Sequence, residues 1–194
     1  MKTINFFLKS SIKQEELLDL AFGEMRTINT NDLVFCDNII SMEFLRKRGI
    51  PVNPPPILNE YGIGFNQISV PLLSISEVLD QNNIDCRNNN IKDFFCLDYR
   101  SDEILYIDCN DWGSIKKYYI ASEESIYINS SIEQFIMVWA YFIMITKNRY
   151  DSSGKQIDIL SLFNDFLNTI DSRSISISNK TWWNQILSDD LIWT

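Results

Sequence analysis

The most constraining feature of this chain is an abrupt change of hydrophobic pattern between residues 129 and 132. The preceding run, SIYIN at residues 125–129, alternates between polar and apolar side chains, which is typical of a half-buried β-strand. Residues 135–145 (FIMVWAYFIMI) are apolar almost all round, which indicates a helix covered on most sides. Ser130, followed three residues later by Glu133, predicts the capping box that starts this helix. We therefore expect a strand that leads directly into a central, buried helix.

Three further strand-like runs precede this join. With SIYIN they span residues 93–129 and read DFFCLDY, EILYIDC and KKYYIAS, each rich in β-branched and aromatic residues. The connections between the runs have lengths that suit hairpins. We therefore predict an antiparallel meander from about residue 94 to residue 129. Within it, Leu105, Ile107 and Cys109 share one face, and Ile126 and Ile128 face the core.

Helical periodicity marks segments on both sides of the predicted sheet. A first helix is expected near Gln14–Met25, and a second is expected to begin at an N-cap Ser41 and to end before Gly49. The segment DILSLFNDFLNTI predicts an amphipathic helix, and beyond it Trp182 or Trp183 is expected to dock on the core. The apolar stripe of the amphipathic helix is predicted to consist of Leu160, Phe163, Leu167 and Ile170.

The middle of the chain carries the weakest signals. VNPPPILNEYG is expected to be extended, because three consecutive prolines exclude a helix. QISVPLLSIS predicts a short edge strand, since Pro71 cannot donate to a sheet ladder, and SEVLDQNNIDCRNNN predicts a short turn of helix at most. With 194 residues and no internal repeat, the predicted fold class is α+β. We expect a single domain over residues 1–194, in which an antiparallel-rich sheet packs against several helices.

The chain is acidic and contains no histidine. Its 26 Asp and Glu residues against 17 Lys and Arg residues give a formal net charge of −9. This balance argues against nucleic acids and anionic membranes as partners, because both attract clustered Lys and Arg, whereas it would steer a basic protein towards the chain. The longest apolar run is too short to span a bilayer, and the N-terminal segment lacks the apolar core of a secretion signal. The expected localisation is the cytoplasm.

No pattern of metal or cofactor ligands is recognisable in the sequence. The four cysteines have no CxxC spacing, and buried free thiols are their expected state. DCNDWG at residues 108–113 begins like a calcium loop, but Trp112 and Tyr119 occupy its fifth and twelfth ligand positions. A hairpin turn with Gly113 at positive φ is predicted there instead. YGIGF lacks the third glycine and the following helix of a dinucleotide site. We therefore expect neither a cofactor nor a metal.

The remaining candidates for chemistry are carboxylates at the predicted hairpin ends. Without histidine the commonest general base is absent, although two acids facing each other across a cleft could still hydrolyse a substrate, as in glycosidases. A solvated rim is the simplest interpretation, and we assign no catalytic residue. An acidic rim in variable turns is also suited to bind a basic partner. The candidate partner-binding residues are Asp98, Asp102, Glu103, Asp111, Glu123 and Glu124.

The order of the motifs resembles the SUKH superfamily of bacterial immunity proteins, and most closely its fourth subfamily. Three short patterns carry the resemblance: a helix end of the form fL…GiP, a hairpin of the form ld…vyyid and a strand-to-helix join of the form vNsSleaFl. They fall on Phe44, Leu45, Gly49, Ile50 and Pro51; on Leu97, Asp98, Leu105, Tyr106, Ile107 and Asp108; and on Ile128, Asn129, Ser130, Ser131, Ile132 and Phe135. The late segment IDSRSISISNKTWWNQIL is similar to the closing segment of the family, with its Asp and its Trp before a final helix.

The resemblance implies a non-enzymatic α+β protein that is made beside a polymorphic toxin and protects its producer by binding the toxin's active domain. Such toxins are often nucleases or deaminases with basic substrate grooves, which an acidic protein is suited to plug. Two other classes stay open: an adaptor or regulatory protein, as among the superfamily's fungal members, and an enzyme with a carboxylate site. A toxin gene immediately upstream would favour immunity, and a deep pocket holding two facing acids would favour the enzyme.

Overall fold

The secondary structure follows the order that the periodicity predicts, with helices before and after a sheet. The computed structural model describes residues 14–28, 39–52, 73–84, 94–100, 102–148, 150, 153–176, 182–183 and 186. The helices within these residues are α1 (Gln14–Phe22), α2 (Ile39–Lys47), α3 (Ile75–Asn82), α4 (Ile132–Lys147), α5 (Ile159–Ile170) and α6 (Ser172–Ser176). The strands are β1 (Met25–Arg26), β2 (Ile50–Pro51), β3 (Phe95–Arg100), β4 (Glu103–Asp108), β5 (Ser114–Tyr119) and β6 (Glu124–Asn129).

Strands β3 to β6 form a four-stranded antiparallel sheet in which each strand pairs with the next one along the chain. This confirms the predicted meander and the α+β class. A 3₁₀ turn, Cys109–Asp111, begins the connection between β4 and β5, and Gly113 takes the predicted positive φ, 78°. The two short strands, β1 after α1 and β2 after α2, pair separately as an antiparallel ribbon.

Both faces of the four-stranded sheet are buried, so its strands carry apolar residues at successive positions. On one face, Leu105 and Ile107 join Phe135 of α4 in the larger hydrophobic cluster. On the other face, Ile104 and Tyr106 join Leu79 of α3 in a second cluster. The predicted sharing of a face by Leu105 and Ile107 is therefore confirmed, and the sheet lies between α4 and α3.

Helix α4 is the central helix, as predicted. Of its 16 residues, 12 are buried. It packs against α1, α2 and α5 as well as against the sheet. The indole rings of Trp182 and Trp183 are both buried and lie 5.7–6.4 Å from the ring of Phe135, centroid to centroid, so the predicted docking of this segment is confirmed.

The predicted capping box of α4 is wrong by one residue. The N-cap is Ser131, whose backbone is extended and whose hydroxyl accepts a hydrogen bond from the backbone N–H of Gln134 at 3.2 Å. Ser130 cannot serve as the cap because its hydroxyl is committed elsewhere: it donates to Asp171 Oδ1 at 2.7 Å and lies 2.5 Å from the hydroxyl of Tyr127. The strand-to-helix join is thus held by a partner 41 residues away in the sequence.

The first two helices also differ from prediction at one end each. Helix α1 ends at Phe22 rather than near Met25, because Gly23 follows at a φ of 72° and Met25 pairs in β1. Helix α2 begins at Ile39, so Ser41 lies inside the first turn, where serine is tolerated, and is not the N-cap. The predicted end of α2 is confirmed: Gly49 has a φ of 81°, and a Cβ at this position would collide with the backbone of β1.

The predicted apolar stripe of α5 is right except at its first residue. Phe163 and Leu167 are buried and Ile170 is partly buried against the core, whereas Leu160 is 42% exposed and Ile159 is buried instead. The predicted stripe began at Leu160, but Ile159 lies one helical turn before Phe163 and takes its place against the core. Leu160 is therefore a surface residue.

The segment before the sheet forms a longer helix than expected. Helix α3 has eight residues, not a short turn, and a complete capping box between Ser74 and Glu77 stabilises its start. The predicted edge strand at residues 67–76 is wrong at its end, because Ile75 and Ser76 are helical. Only Ser74 makes an isolated bridge to Phe95. The rest of that strand and the predicted extended prolines lie outside the described residues.

Candidate functional site

Four of the six candidate acids meet at one end of the sheet. The register places Arg100 opposite Glu103, Glu103 opposite Tyr119, and Tyr119 opposite Glu124. The β3–β4 and β5–β6 turns therefore lie side by side, although they are more than 20 residues apart in the sequence. We name this surface the acidic end of the sheet. It comprises Asp102, Glu103, Glu123 and Glu124.

Three of these four carboxylates are well exposed to solvent. Asp102, Glu123 and Glu124 are exposed, while the Glu103 carboxylate pairs with Nζ of the buried Lys117. The backbone beneath them is ordered, because Ile120 N donates to Asp102 O at 2.8 Å and links the two turns. One cation whose side chain the structure describes, Lys117, belongs to the same end, so the four carboxylates outnumber it there. This end has the charge and exposure that a basic partner requires.

Burial and the negative charges of these acids both affect the pKa of the neighbouring Tyr119. Burial raises the pKa of Tyr119 above its usual value, and the charges of Glu103 and Asp102 raise it further. The ammonium of Lys117 lies 5.2 Å from the centroid of the same ring. Tyr119 therefore stays a neutral hydrogen-bonding group at physiological pH, with one aromatic face already occupied by a cation.

The other two candidate acids are elsewhere. Asp98 lies in the body of β3, opposite Leu105, and is half-buried rather than at a hairpin end. Asp111 lies in the β4–β5 connection, at the opposite end of the sheet, roughly 20 Å away along β4 by the rise of about 3.4 Å per residue. The six candidates therefore do not form one surface, because the meander places alternate turns at opposite ends.

Asp111 belongs to a network of charged side chains. Its carboxylate pairs with Lys116 Nζ at 3.1 Å and accepts three hydrogen bonds from the guanidinium of Arg173. Lys116 Nζ also lies 2.7 Å from Asp108 Oδ2, and Arg173 lies 4.6 Å from the centroid of the Tyr127 ring. Two acids and two cations thus balance, and this end of the sheet is close to neutral. Asp108 and Asp111 act structurally here, as does the turn that resembled a calcium loop.

The protonation of Asp111 should therefore affect stability. Burial alone would raise its pKa, but the hydrogen bonds from Arg173, Lys116 and Ser114 outweigh burial and hold it below the ordinary value of 3.8. A lowered pKa in the folded state means that the stabilisation is fully present above pH 3.8 and is lost as the pH falls through the folded-state pKa.

We expect Asp111→Asn to lower the free energy of unfolding by about 1–2 kcal/mol at pH 7, since charge-assisted hydrogen bonds are replaced by weaker ones. The difference in the free energy of unfolding between the variant and the parent chain should be the same at pH 5 as at pH 7. It should be smaller at pH 3. Urea unfolding at the three pH values measures this. A difference that stays constant down to pH 3, or that is largest there, would contradict the ionised role of Asp111.

A second polar network is buried, and no spacing pattern in the sequence predicts the contacts between its members. The carboxylate of Asp171, 3% exposed, accepts from Ser130 N and Ser130 Oγ, both at 2.7 Å, from Asn129 Nδ2 at 2.9 Å and from Ser174 Oγ at 2.8 Å. Trp183 Nε1 donates to Asn129 Oδ1 at 2.9 Å. We name this set the Asp171 network. It ties β6 and the start of α4 to α6 and to the segment of Trp183.

A shallow cleft of about 280 Å³ lies between α1, α2 and α4. It is lined by Glu15, Leu18, Glu43, Phe44, Lys47, Arg48 and Glu133. Glu43 pairs with Lys47 and Glu15 pairs with Arg48. The hydrogen bond from Lys47 lowers the pKa of Glu43, which is opposite to what a general acid near neutral pH requires. The cleft therefore lends no support to a glycosidase-like pair of acids.

The thiol of Cys96 is not part of a disulfide. Cys96 is buried, and burial raises its pKa to about 12, so it is not a nucleophile near neutral pH. Cys109 is partly buried. The prediction of buried free thiols is confirmed for Cys96, while Cys36 and Cys86 lie outside the described residues.

Comparison of the chain with protein-family models, with curated proteins and with solved structures finds no match. In the part of the chain that the structure describes, no three His, Cys, Asp or Glu side chains are grouped as a metal site would require. None of the helices in that part has both the length and the apolar character of a membrane span. Function must accordingly be inferred from the surfaces described above and from the resemblance of the short motifs.

Proposed function

We propose that this chain is a non-enzymatic immunity protein of the SUKH type, which binds and neutralises a cognate toxin domain in the cytoplasm. The toxin domain is expected to be a nuclease or a deaminase with a basic substrate groove. The observation that carries this proposal is the acidic end of the sheet: carboxylates from two separate hairpins are presented together, exposed, on a well-anchored backbone. Such a surface complements a basic groove in charge and in rigidity.

The Asp171 network joins two of the segments that carry the resemblance on which the proposal also rests. Asn129 and Ser130 belong to the vNsSleaFl pattern, while Asp171 and Trp183 belong to the closing segment, about 40 residues later. In the structure the four residues are joined by hydrogen bonds. A pattern shared between distant segments is expected where they meet and hold the fold, so the motifs describe a scaffold. Partner recognition would then fall to the surface turns.

The proposal predicts a kinetic effect of charge reversal. Asp102→Lys, Glu123→Lys and Glu124→Lys together change the formal net charge from −9 to −3, because each adds two units. Glu103 is left intact to keep its pair with Lys117. At low ionic strength we expect association with the toxin domain encoded by the gene immediately upstream to slow by about tenfold or more, because electrostatic steering is lost. Surface plasmon resonance at several salt concentrations measures the rate.

A matched control separates steering from the change in net charge. Reversing Glu16, Asp19 and Asp80, which are exposed on α1 and α3, gives the same net charge at other positions. This variant should associate much faster than the first one, and the two rates should converge at high salt. Equal slowing in both variants would argue against the acidic end of the sheet as the contact surface. An absence of binding by the parent chain would argue against the immunity function itself.

A further inference from the structure

Trp112 is the most exposed large apolar side chain among the described residues, with 82% of its surface accessible to solvent. It lies in the β4–β5 connection, at the end of the sheet opposite the acidic end. Its backbone is left-handed, with a φ of 56°, a conformation that is costly for a bulky residue and natural for glycine. The chain therefore places an indole in water and in a strained backbone position, neither of which benefits the fold.

The turn that carries Trp112 is rigid. Asp108 accepts from the backbone N–H groups of Asn110 and Asp111 at 2.9 and 3.2 Å, and Gly113 N donates to Asp108 O at 2.9 Å. Lys116, which belongs to β5, forms ion pairs with the carboxylates of Asp108 and Asp111. An exposed aromatic residue on such a turn loses little conformational freedom when it is bound, which is the condition for a strong contact.

A second residue with the character of a binding hot spot lies beside the turn. Arg173 of α6 is 44% exposed and is held by two interactions, one with the carboxylate of Asp111 and one with the ring of Tyr127. The three residues Trp112, Arg173 and Tyr127 are the types most enriched in the energetic centres of protein interfaces. They come from three separate elements, the turn, α6 and β6, and Asp111 links them.

The charges around Trp112 indicate the kind of partner. Asp108 and Asp111 balance Lys116 and Arg173, and the buried Asp171 near Arg173 adds one negative charge, so the patch carries no excess of positive charge. A nucleic acid or an anionic membrane would need an excess of positive charge here. A second copy of the chain is disfavoured as the partner, because two molecules of charge −9 repel each other. A different protein with an apolar pocket of indole size would bury the exposed ring and would not require an excess of positive charge on this patch.

We propose that Trp112, with Arg173 beside it, is an anchor that inserts into an apolar pocket of the cognate toxin domain. This inference rests on the proposed function and adds a second contact to it. The acidic end of the sheet governs how fast the complex forms, and Trp112 governs how long it lasts. Both fit one partner, because an interface of about 800 Å² per side is roughly 30 Å across and the two ends are about 20 Å apart.

Trp112→Gly tests the anchor without endangering the fold, because glycine suits the left-handed backbone. We expect its melting temperature to equal or exceed that of the parent chain. Its dissociation from the toxin domain should be roughly thirtyfold faster, the usual effect of losing a hot-spot residue, while the salt dependence of association stays unchanged. Trp112→Phe should recover part of the lifetime. Tyr150→Ala, which removes another exposed ring, should dissociate like the parent.

Each outcome has a distinct meaning. If the parent binds and Trp112→Gly dissociates equally slowly, the anchor is refuted and the proposed function stands. If the parent does not bind, both are refuted. If the chain alone is a dimer in size-exclusion chromatography with light scattering, and Trp112→Gly is a monomer, the indole serves self-association and the assignment to a toxin pocket is wrong. Faster dissociation of Trp112→Gly together with a monomeric parent supports the anchor.

Discussion

Asp171→Ala is expected to destabilise the protein by about 3–5 kcal/mol, which is a large part of the 5–15 kcal/mol typical of a domain. The substitution removes the acceptor shared by Asn129, Ser130 and Ser174 and leaves the Ser130 N–H without the carboxylate to which it donates. The hydrogen bonds from Ser174 Oγ to Ile128 O and from Trp183 Nε1 to Asn129 Oδ1 remain, but the carboxylate that orients Asn129 and Ser174 is lost. Urea unfolding monitored by far-UV circular dichroism measures the loss.

Asp158→Ala is the matched control for this substitution. Asp158 also accepts from a backbone N–H, that of Ser161 at 3.0 Å, but it is exposed and caps only the start of α5. Its replacement should cost about 1 kcal/mol, the usual value of an N-cap. If the two alanine variants lose similar amounts of stability, the Asp171 network does not hold the two segments together in the way its geometry indicates.

Phe135→Ala is expected to cost roughly 3–5 kcal/mol, because the ring is fully buried and its removal leaves a cavity in the core. Its ring lies 5.9 Å from that of Trp139 and 5.7 Å from that of Trp183, centroid to centroid, so the cavity opens between α4 and the docked tryptophans. We expect the near-UV circular dichroism signal of these tryptophans to weaken along with the free energy of unfolding.

Leu160→Ala on α5 is the control for the core substitution. Leu160 belonged to the predicted apolar stripe but is 42% exposed, so its truncation should change stability by about 0.5 kcal/mol or less. A loss comparable to that of Phe135→Ala would mean that the predicted stripe is right and that the orientation of α5 described here is wrong.

The sheet and the central helix were predictable because their signals are local. The runs of β-branched and aromatic residues in β4 and β6 and the all-apolar run of α4 depend on neighbouring residues alone, as does the left-handed Gly49 after α2. The capping box of α3 is equally local, since Ser74 and Glu77 are three residues apart, but the Asn-rich sequence after it favours a loop over a helix.

What could not be predicted depends on contacts between distant segments. The role of Ser130 is set by Asp171, which no spacing rule connects with it, so the cap of α4 was assigned one residue too early. The candidate acids were treated as one cluster because they are dense in the sequence. The register of the meander separates Asp111 from Glu103 by the length of a strand. Burial then distinguishes the paired acids from the exposed ones, and sequence alone does not report burial.

The most direct test of the account is to purify the product of the gene immediately upstream, which the proposal expects to contain a toxin domain, and to titrate it with the purified chain while nuclease and deaminase activity are followed. We predict that activity falls linearly and is abolished at one chain per toxin domain, with a stable 1:1 complex in size-exclusion chromatography. Full toxin activity in the presence of excess chain, with no complex, would contradict the immunity function and would leave the acidic end of the sheet without its proposed partner.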